Sequence, residues 1–94
     1  MAVYVVSWNL NKEKGNYDAA RKEFLKQFDK YDTYKEARLD STHFVSTTET
    51  AQQVSEHLRK RMDDNDRLIV SRMRSGEYHG YLDKGAWDWI SQQL

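Results

Sequence analysis

The stretch that decides the fold is Ala2-Val-Tyr-Val-Val-Ser-Trp-Asn-Leu10. Most of its residues are β-branched or aromatic, and apolar side chains occupy both alternating sets of positions. A strand with apolar residues on both faces is expected in the middle of a sheet that is covered on both sides. The stretch therefore predicts a central strand with two faces to bury.

A helix is predicted to follow the polar loop 11–15, with Asn16 as its N-cap. Apolar residues recur there at spacings of three and four, which is typical of an amphipathic helix of about 14 residues. They are Tyr17, Ala20, Phe24, Phe28 and Tyr31. Residues 33–39 and 42–47 then have strand composition on either side of the turn residues Asp40-Ser41, which predicts a hairpin.

A second helix, one or two further strands and a terminal segment are predicted in the second half of the chain. Thr48 or Thr50 can cap a second helix, whose apolar stripe is Ala51, Val54, Leu58 and Met62. The turn 63–66 ends that helix. Strands are then predicted over 67–73 and, as a short fifth strand, over 77–82, and residues 86–94 are predicted to form a short terminal helix or docking arm.

The order β-α-β-β-α-β predicts a single α+β domain over residues 1–94 with the ferredoxin-like split βαβ plan, an antiparallel sheet and a short C-terminal extension. Right-handed crossovers place strands one and three in the centre and both helices on one face. The other face carries apolar groups, so we expect a partner protomer or the aromatic tail to cover it.

Composition excludes several function classes. Fifteen basic and fifteen acidic residues give no net charge, so nucleic-acid or membrane binding needs a local patch. The absence of cysteine excludes disulfide scaffolds and thiolate zinc sites, and four glycines leave no phosphate-binding loop. Without an apolar run of the roughly 18 to 20 residues that a membrane span needs, we expect a soluble, cytoplasmic protein.

Five short motifs together resemble the SinR-like family of small bacterial proteins. They are the segment 7–12 (Ser-Trp-Asn-Leu-Asn-Lys), Asn16-Tyr17, the segment 39–45 that begins Leu-Asp-Ser-Thr, the segment 64–70 (Asp-Asn-Asp-Arg-Leu-Ile-Val) and the segment 86–90 (Ala-Trp-Asp-Trp-Ile). That family is distant kin of the ferredoxin-fold CRISPR-associated endoribonucleases and of virulence-associated protein D. The resemblance implies a homodimer packed through its sheets. It also implies metal-dependent phosphodiester cleavage at an Asp that ends strand one, where this chain has Asn9.

A metal site is one interpretation of the polar residues at that end of the sheet. Topology brings the end of strand one close to the turns before strands three and four, so the carboxylates Asp40, Asp64 and Asp66 can converge as ligands of Mg²⁺ or Mn²⁺. The candidate catalytic residues are Asn9, Ser7, Asp40 and, as a general acid or base, His43. The alternative is that these aspartates only make turns and end a helix, with solvated charges.

Basic and aromatic residues provide candidate binding surfaces. A phosphate-tracking surface is predicted from Arg59, Arg61, Arg67, Arg72, Arg74 and Tyr78. The alternative is that these arginines complement the helix C-terminus and pair with nearby aspartates. Interfaces are enriched in tryptophan, so Trp8, Trp87 and Trp89 are predicted to lie at an interface.

Three functions follow from these patterns. The first is a small dimeric binding module that contacts nucleic acid or a protein partner without catalysis or cofactor. The second is a metal-dependent endonuclease acting on RNA or DNA. The third is a regulatory, inhibitor or antitoxin-like protein that binds another protein.

Overall fold

The described residues form a four-stranded antiparallel sheet with helices on both faces, and one of the two faces is only partly covered. The structure, a computed structural model, describes residues 1–11 and 15–94, so the predicted polar loop 11–15 lies partly outside the described residues. The strands are β1 (Ala2–Asn9), β2 (Asp32–Tyr34), β3 (Thr42–Thr47) and β4 (Arg67–Met73). The helices are α1 (Tyr17–Lys26), α2 (Ala51–Arg59) and α3 (Lys84–Gln93), and a 3₁₀ helix spans Gln27–Lys30.

The strand order in the sheet is β2-β3-β1-β4. In the register of the central strand, Val5 of β1 lies between Phe44 of β3 and Ser71 of β4. The predicted α+β class and the central positions of the first and third strands are confirmed. β2 and β4 form the two edges.

One face of the sheet packs on α1, the 3₁₀ helix and α2. Tyr4, Val6 and Trp8 of β1 point to this side and contact a cluster of helix residues: Phe24, Phe28, Val54 and Leu58. Burying each large apolar side chain contributes about 1.5–3 kcal/mol, so this layer is the main source of stability. The N-terminus of α2 is closed by a capping box between Thr50 and Gln53, which resolves the prediction of Thr48 or Thr50.

The opposite face is covered in part by α3. Val3, Phe44 and Met73 form a second apolar cluster with Ile90 of α3, which is fully buried. The helix begins after Asp83, whose Oδ1 accepts a hydrogen bond from the backbone N–H of Ala86 at 2.7 Å. The aromatic tail therefore forms a terminal helix, as expected, and covers the part of this face around Val3, Phe44 and Met73.

Several predicted elements differ in extent. α1 ends at Lys26 and tightens into the 3₁₀ helix, and the side chain of Asn16 makes no cap hydrogen bond. The predicted fifth strand over 77–82 is wrong, since residues 74–83 form no strand. Gly76 turns the chain with φ 81°, and Tyr78 and Leu82 then pack against the cluster under α3. No helix among the described residues is long and apolar enough to cross a membrane.

Candidate functional site

The end of β1 meets the turns that precede β3 and β4. The backbone N–H of Trp8 donates to the carbonyl oxygen of Ser41 at 3.0 Å. The backbone N–H of Asn11 donates to Oδ1 of Asp66 at 2.8 Å. Both predicted turn segments therefore lie at this end of the sheet, beside Asn9.

Asp66 is buried and holds the turn before β4 together. Its Oδ2 accepts a hydrogen bond from the backbone N–H of Asp63 at 3.0 Å, and its own N–H donates to the carbonyl oxygen of Asp63 at 3.1 Å. Hydrogen bonds from N–H groups to a carboxylate are roughly twice as strong as neutral ones. The Asp66 carboxylate therefore links the chain after β1 to the turn before β4.

The three predicted metal ligands lie in different environments. Both Asp66 oxygens accept backbone N–H bonds, while Asp40 and Asp64 are exposed. Within residues 1–11 and 15–94, no group of three or more His, Cys, Asp or Glu side chains is arranged to hold a metal ion.

His43 lies on the sheet face that packs against α1, the 3₁₀ helix and α2, away from Ser7 and Asn9. Its ring stacks on Phe28 with centroids 4.0 Å apart, and its Nδ1 accepts a hydrogen bond from Nε1–H of Trp8 at 3.2 Å. Burial, with smaller contributions from the positive charges of Lys35 and Arg21, lowers the pKa of His43 to about 4. The ring is thus neutral at pH 7 and acts as a packed hydrogen-bond acceptor.

Ser7 and Asn9 are exposed on the opposite face, where they line a shallow groove with Arg67 and Ile69. In the register, Ser7 is paired with Thr42, so the neighbouring His43 points to the other side of the sheet. The predicted set of Asn9, Ser7, Asp40 and His43 is consequently divided between two faces.

The three predicted interface tryptophans occupy different environments. Trp8 is only 4% exposed, packs on Phe24 at 5.1 Å between ring centroids and carries the Arg21 guanidinium over its ring at 5.5 Å, so it is a core residue. Trp87 and Trp89 are half-buried on α3. They contact two tyrosines, Trp87 stacking with Tyr78 and Trp89 lying against Tyr34.

The predicted arginine surface is divided. Arg59 ends α2 and lines a groove with Arg67, Arg61 follows α2 in the chain, and Arg72 and Arg74 lie at the other end of β4. Arg67 begins the strand, and its Nη1 donates to the carbonyl oxygens of Asp64 and Asp66, each at 2.7 Å. That guanidinium therefore closes a turn. Arg72 lies five residues further along, about 17 Å away at the rise of a strand. Tyr78 is not beside it, since the ring of Tyr78 packs in the cluster under α3.

Arg72 and Arg74 form a basic patch at the far end of β4, where they line a groove with residues 48–51 at the N-terminus of α2 and with Met1. Both side chains are exposed, and neither makes an ion pair with any described residue. The carboxylate of Glu49, which lines the same groove, pairs with residues other than these two arginines. It contacts Lys30 at 2.7 Å and accepts a hydrogen bond from Tyr31 at 2.8 Å, and these bonds lower its pKa.

Glu36, at the connection between β2 and β3, is a buried charged residue that was not among the predicted site residues. Residues 33–39 alternate only loosely, so no pattern marks this position as buried. A second unpredicted feature is the cap formed by Asp83, for which the spacing of an acidic residue before a helical segment is the usual signal.

A scan against protein-family models and a search of curated protein sequences found no match to this chain.

Proposed function

We propose that this chain is a small homodimeric binding module of ferredoxin-like, split βαβ architecture that contacts nucleic acid without catalysis. The strand order β2-β3-β1-β4, with α1 and α2 on one face, supports the architecture. The same architecture is the one implied by the resemblance of the sequence motifs to the SinR-like family and its distant kin with the CRISPR-associated endoribonuclease fold.

The observation that carries the proposal is the basic patch of Arg72 and Arg74. Two exposed guanidinium groups lie two residues apart at an open sheet edge, and no carboxylate among the described residues neutralises them. Arginine contacts with phosphate are frequently bidentate, and each phosphate neutralised releases counterions. The patch thus supplies the local positive charge that a chain of zero net charge needs to bind a polyanion.

The uncovered part of the sheet supports the homodimer. α3 leaves this face of the sheet uncovered around Ser7 and Ile69. Ile69 of the edge strand β4 pairs with Ser7 of β1, and its side chain is 66% exposed. β4 has no further strand beside it in the described part of the chain. Two β4 edges can pair antiparallel about a twofold axis, which makes the contact self-complementary. A mass of 11.2 kDa by light scattering at about 100 µM protein would contradict the dimer.

Fluorescence anisotropy with labelled single-stranded RNA and duplex DNA, between about 50 and 200 mM salt, tests the binding function. We expect the double substitution Arg72→Gln/Arg74→Gln to weaken binding about tenfold and to reduce the salt dependence by about two released ions. The matched control, Lys22→Gln/Lys26→Gln, removes the same charge from α1 and should change affinity much less.

If the two double variants weaken binding equally, the effect comes from net charge alone, and the basic patch is not the binding site. Cleavage of the probe in Mg²⁺ or Mn²⁺ that EDTA abolishes would contradict the absence of catalysis. If the protein binds neither probe at low salt, the nucleic-acid function is refuted and a protein partner is favoured.

A further inference from the structure

A separate groove lies between the connection from β2 to β3 and the segment that leads into α3. Residues 36–39 form one wall and residues 81–83 the other. The groove is at the β2 side of the sheet, whereas Arg72 and Arg74 are at the β4 edge. The two surfaces can therefore be occupied independently.

One wall of this groove contains the buried carboxylate of Glu36, which interacts electrostatically with the neighbouring Lys35 but makes no ion pair with a described cation. Glu36 is only 6% exposed. Its Oε1 accepts a hydrogen bond from the backbone N–H of Arg38 at 2.8 Å, and no described cation lies within ion-pair distance of the carboxylate. The neighbouring Lys35 ammonium donates instead to the main-chain carbonyl oxygens of Glu36 and Leu39. Glutamate is almost never buried to this extent unless it is paired.

The walls of the groove suit an alkyl chain that ends in a positive charge. Leu39 and Leu82 are half-buried and apolar, and Tyr81 is fully exposed at the rim. An aromatic ring attracts a cation above its face, and lysine and arginine stems pack along apolar surface. Asp83, which caps α3 through Oδ1, adds a second negative charge from the opposite wall.

We propose that this groove binds a lysine or arginine side chain of a partner protein. The cationic head pairs with the Glu36 carboxylate, the stem lies against Leu39 and Leu82, and the ring of Tyr81 covers the bound group. A hard divalent ion is a poorer match, because it needs about six oxygen ligands and gains nothing from apolar walls. Arg38 lines the same groove and makes no ion pair with Glu36, so its positive charge weakens binding of the cationic side chain.

Nuclear magnetic resonance titration of the full chain tests this proposal. The probe is the capped tripeptide acetyl-Gly-Lys-Gly-amide, and the neutral control replaces its lysine with norleucine. We expect the lysine peptide to shift the amide signals of residues 36–39 and 81–83 in a saturable manner, and the norleucine peptide to bind at least fivefold more weakly. Glu36→Gln keeps an acceptor for the Arg38 N–H and should weaken lysine-peptide binding at least fivefold, whereas Arg38→Ala should strengthen it.

Tyr81→Ala provides a variant with no expected effect on folding, because the side chain is fully exposed. It should weaken the lysine peptide more than the norleucine peptide. Equal binding of the two peptides, signal shifts confined to other residues, or unchanged affinity in Glu36→Gln would each overturn the proposal. Binding of free n-butylamine as tight as that of the lysine peptide would assign the groove to small amines and overturn the protein partner.

Discussion

Acidification should weaken the fold through His43, because only the unfolded chain accepts a proton easily on this ring. The ordinary pKa of histidine is about 6.5, whereas burial and two nearby cations lower that of His43 to about 4 in the folded protein. Between these values the unfolded state binds more protons than the folded state. The stability contributed by neutral His43 is therefore complete above pH 6.5 and is lost as the pH falls toward 4.

The size of the effect follows from the two pKa values. Between pH 7.5 and 4.5, a group shifted in this way loses about 2.5 kcal/mol of folding free energy, with a slope close to 1.4 kcal/mol per pH unit in the steepest region. The structural cause is specific. Protonated His43 has no acceptor site at Nδ1 for the Trp8 N–H, and its charge is stacked against Phe28.

The assay is urea unfolding monitored by circular dichroism at several pH values, for the native chain and for His43→Asn. Asparagine offers an acceptor oxygen close to the Nδ1 position but does not titrate, so this variant should be less stable at pH 7.5 and lose less stability on acidification. The difference in stability between the two proteins should shrink by about 2.5 kcal/mol at pH 4.5. The control His79→Asn, at an exposed position, should keep the native pH dependence. A difference that is constant with pH would falsify the lowered pKa of His43.

Two further predictions concern the face under α3. A Cβ at Gly85 would lie 2.6 Å from the Tyr34 hydroxyl oxygen, so Gly85→Ala should destabilise the fold by about 1–2 kcal/mol. In the Tyr34→Phe background the hydroxyl oxygen is absent. There the same change should be neutral or stabilising, because alanine favours a helix more than glycine does. A double-mutant cycle measures this coupling, and additive effects would contradict the contact. The buried Oγ of Ser46 has no hydrogen-bond partner among the described residues, so Ser46→Ala should stabilise by about 1 kcal/mol. The exposed Ser71→Ala is its control, and a loss of stability specific to Ser46→Ala in thermal unfolding would contradict the prediction.

Local pattern was sufficient for the four strands and the helices, although it also predicted a fifth strand over 77–82 that does not form, and it did not determine the arrangement of the polar residues. The two apolar faces of residues 2–10 and the spacing of Phe24 and Phe28 follow directly from side-chain geometry, so the central strand and the first helix were predictable. The position of His43 was not. Which face a β3 residue occupies depends on its register against β1, and a shift of one residue reverses every side chain.

The candidate site shows the same limit. Sequence proximity grouped Arg67 with Arg72 and Arg74, but the alternation of a strand and the turn before β4 give Arg67 a different set of partners. The groove beside Glu36 has its second wall in residues 81–83, far along the chain. Contacts of this kind arise only when distant segments are packed together, and no local composition records them.

The central position of β1 has a consequence for folding kinetics. Val3 pairs with Ser46 on one side and with Met73 on the other, so the first strand cannot complete its ladders until segments about 40 and 70 residues away have closed onto it. Closing large loops costs entropy before the contacts form, and chains rich in distant pairings cross a higher kinetic barrier than helical bundles of equal length. Folding of this protein is therefore expected on the millisecond scale or slower, with β1 as the strand whose pairing limits the rate.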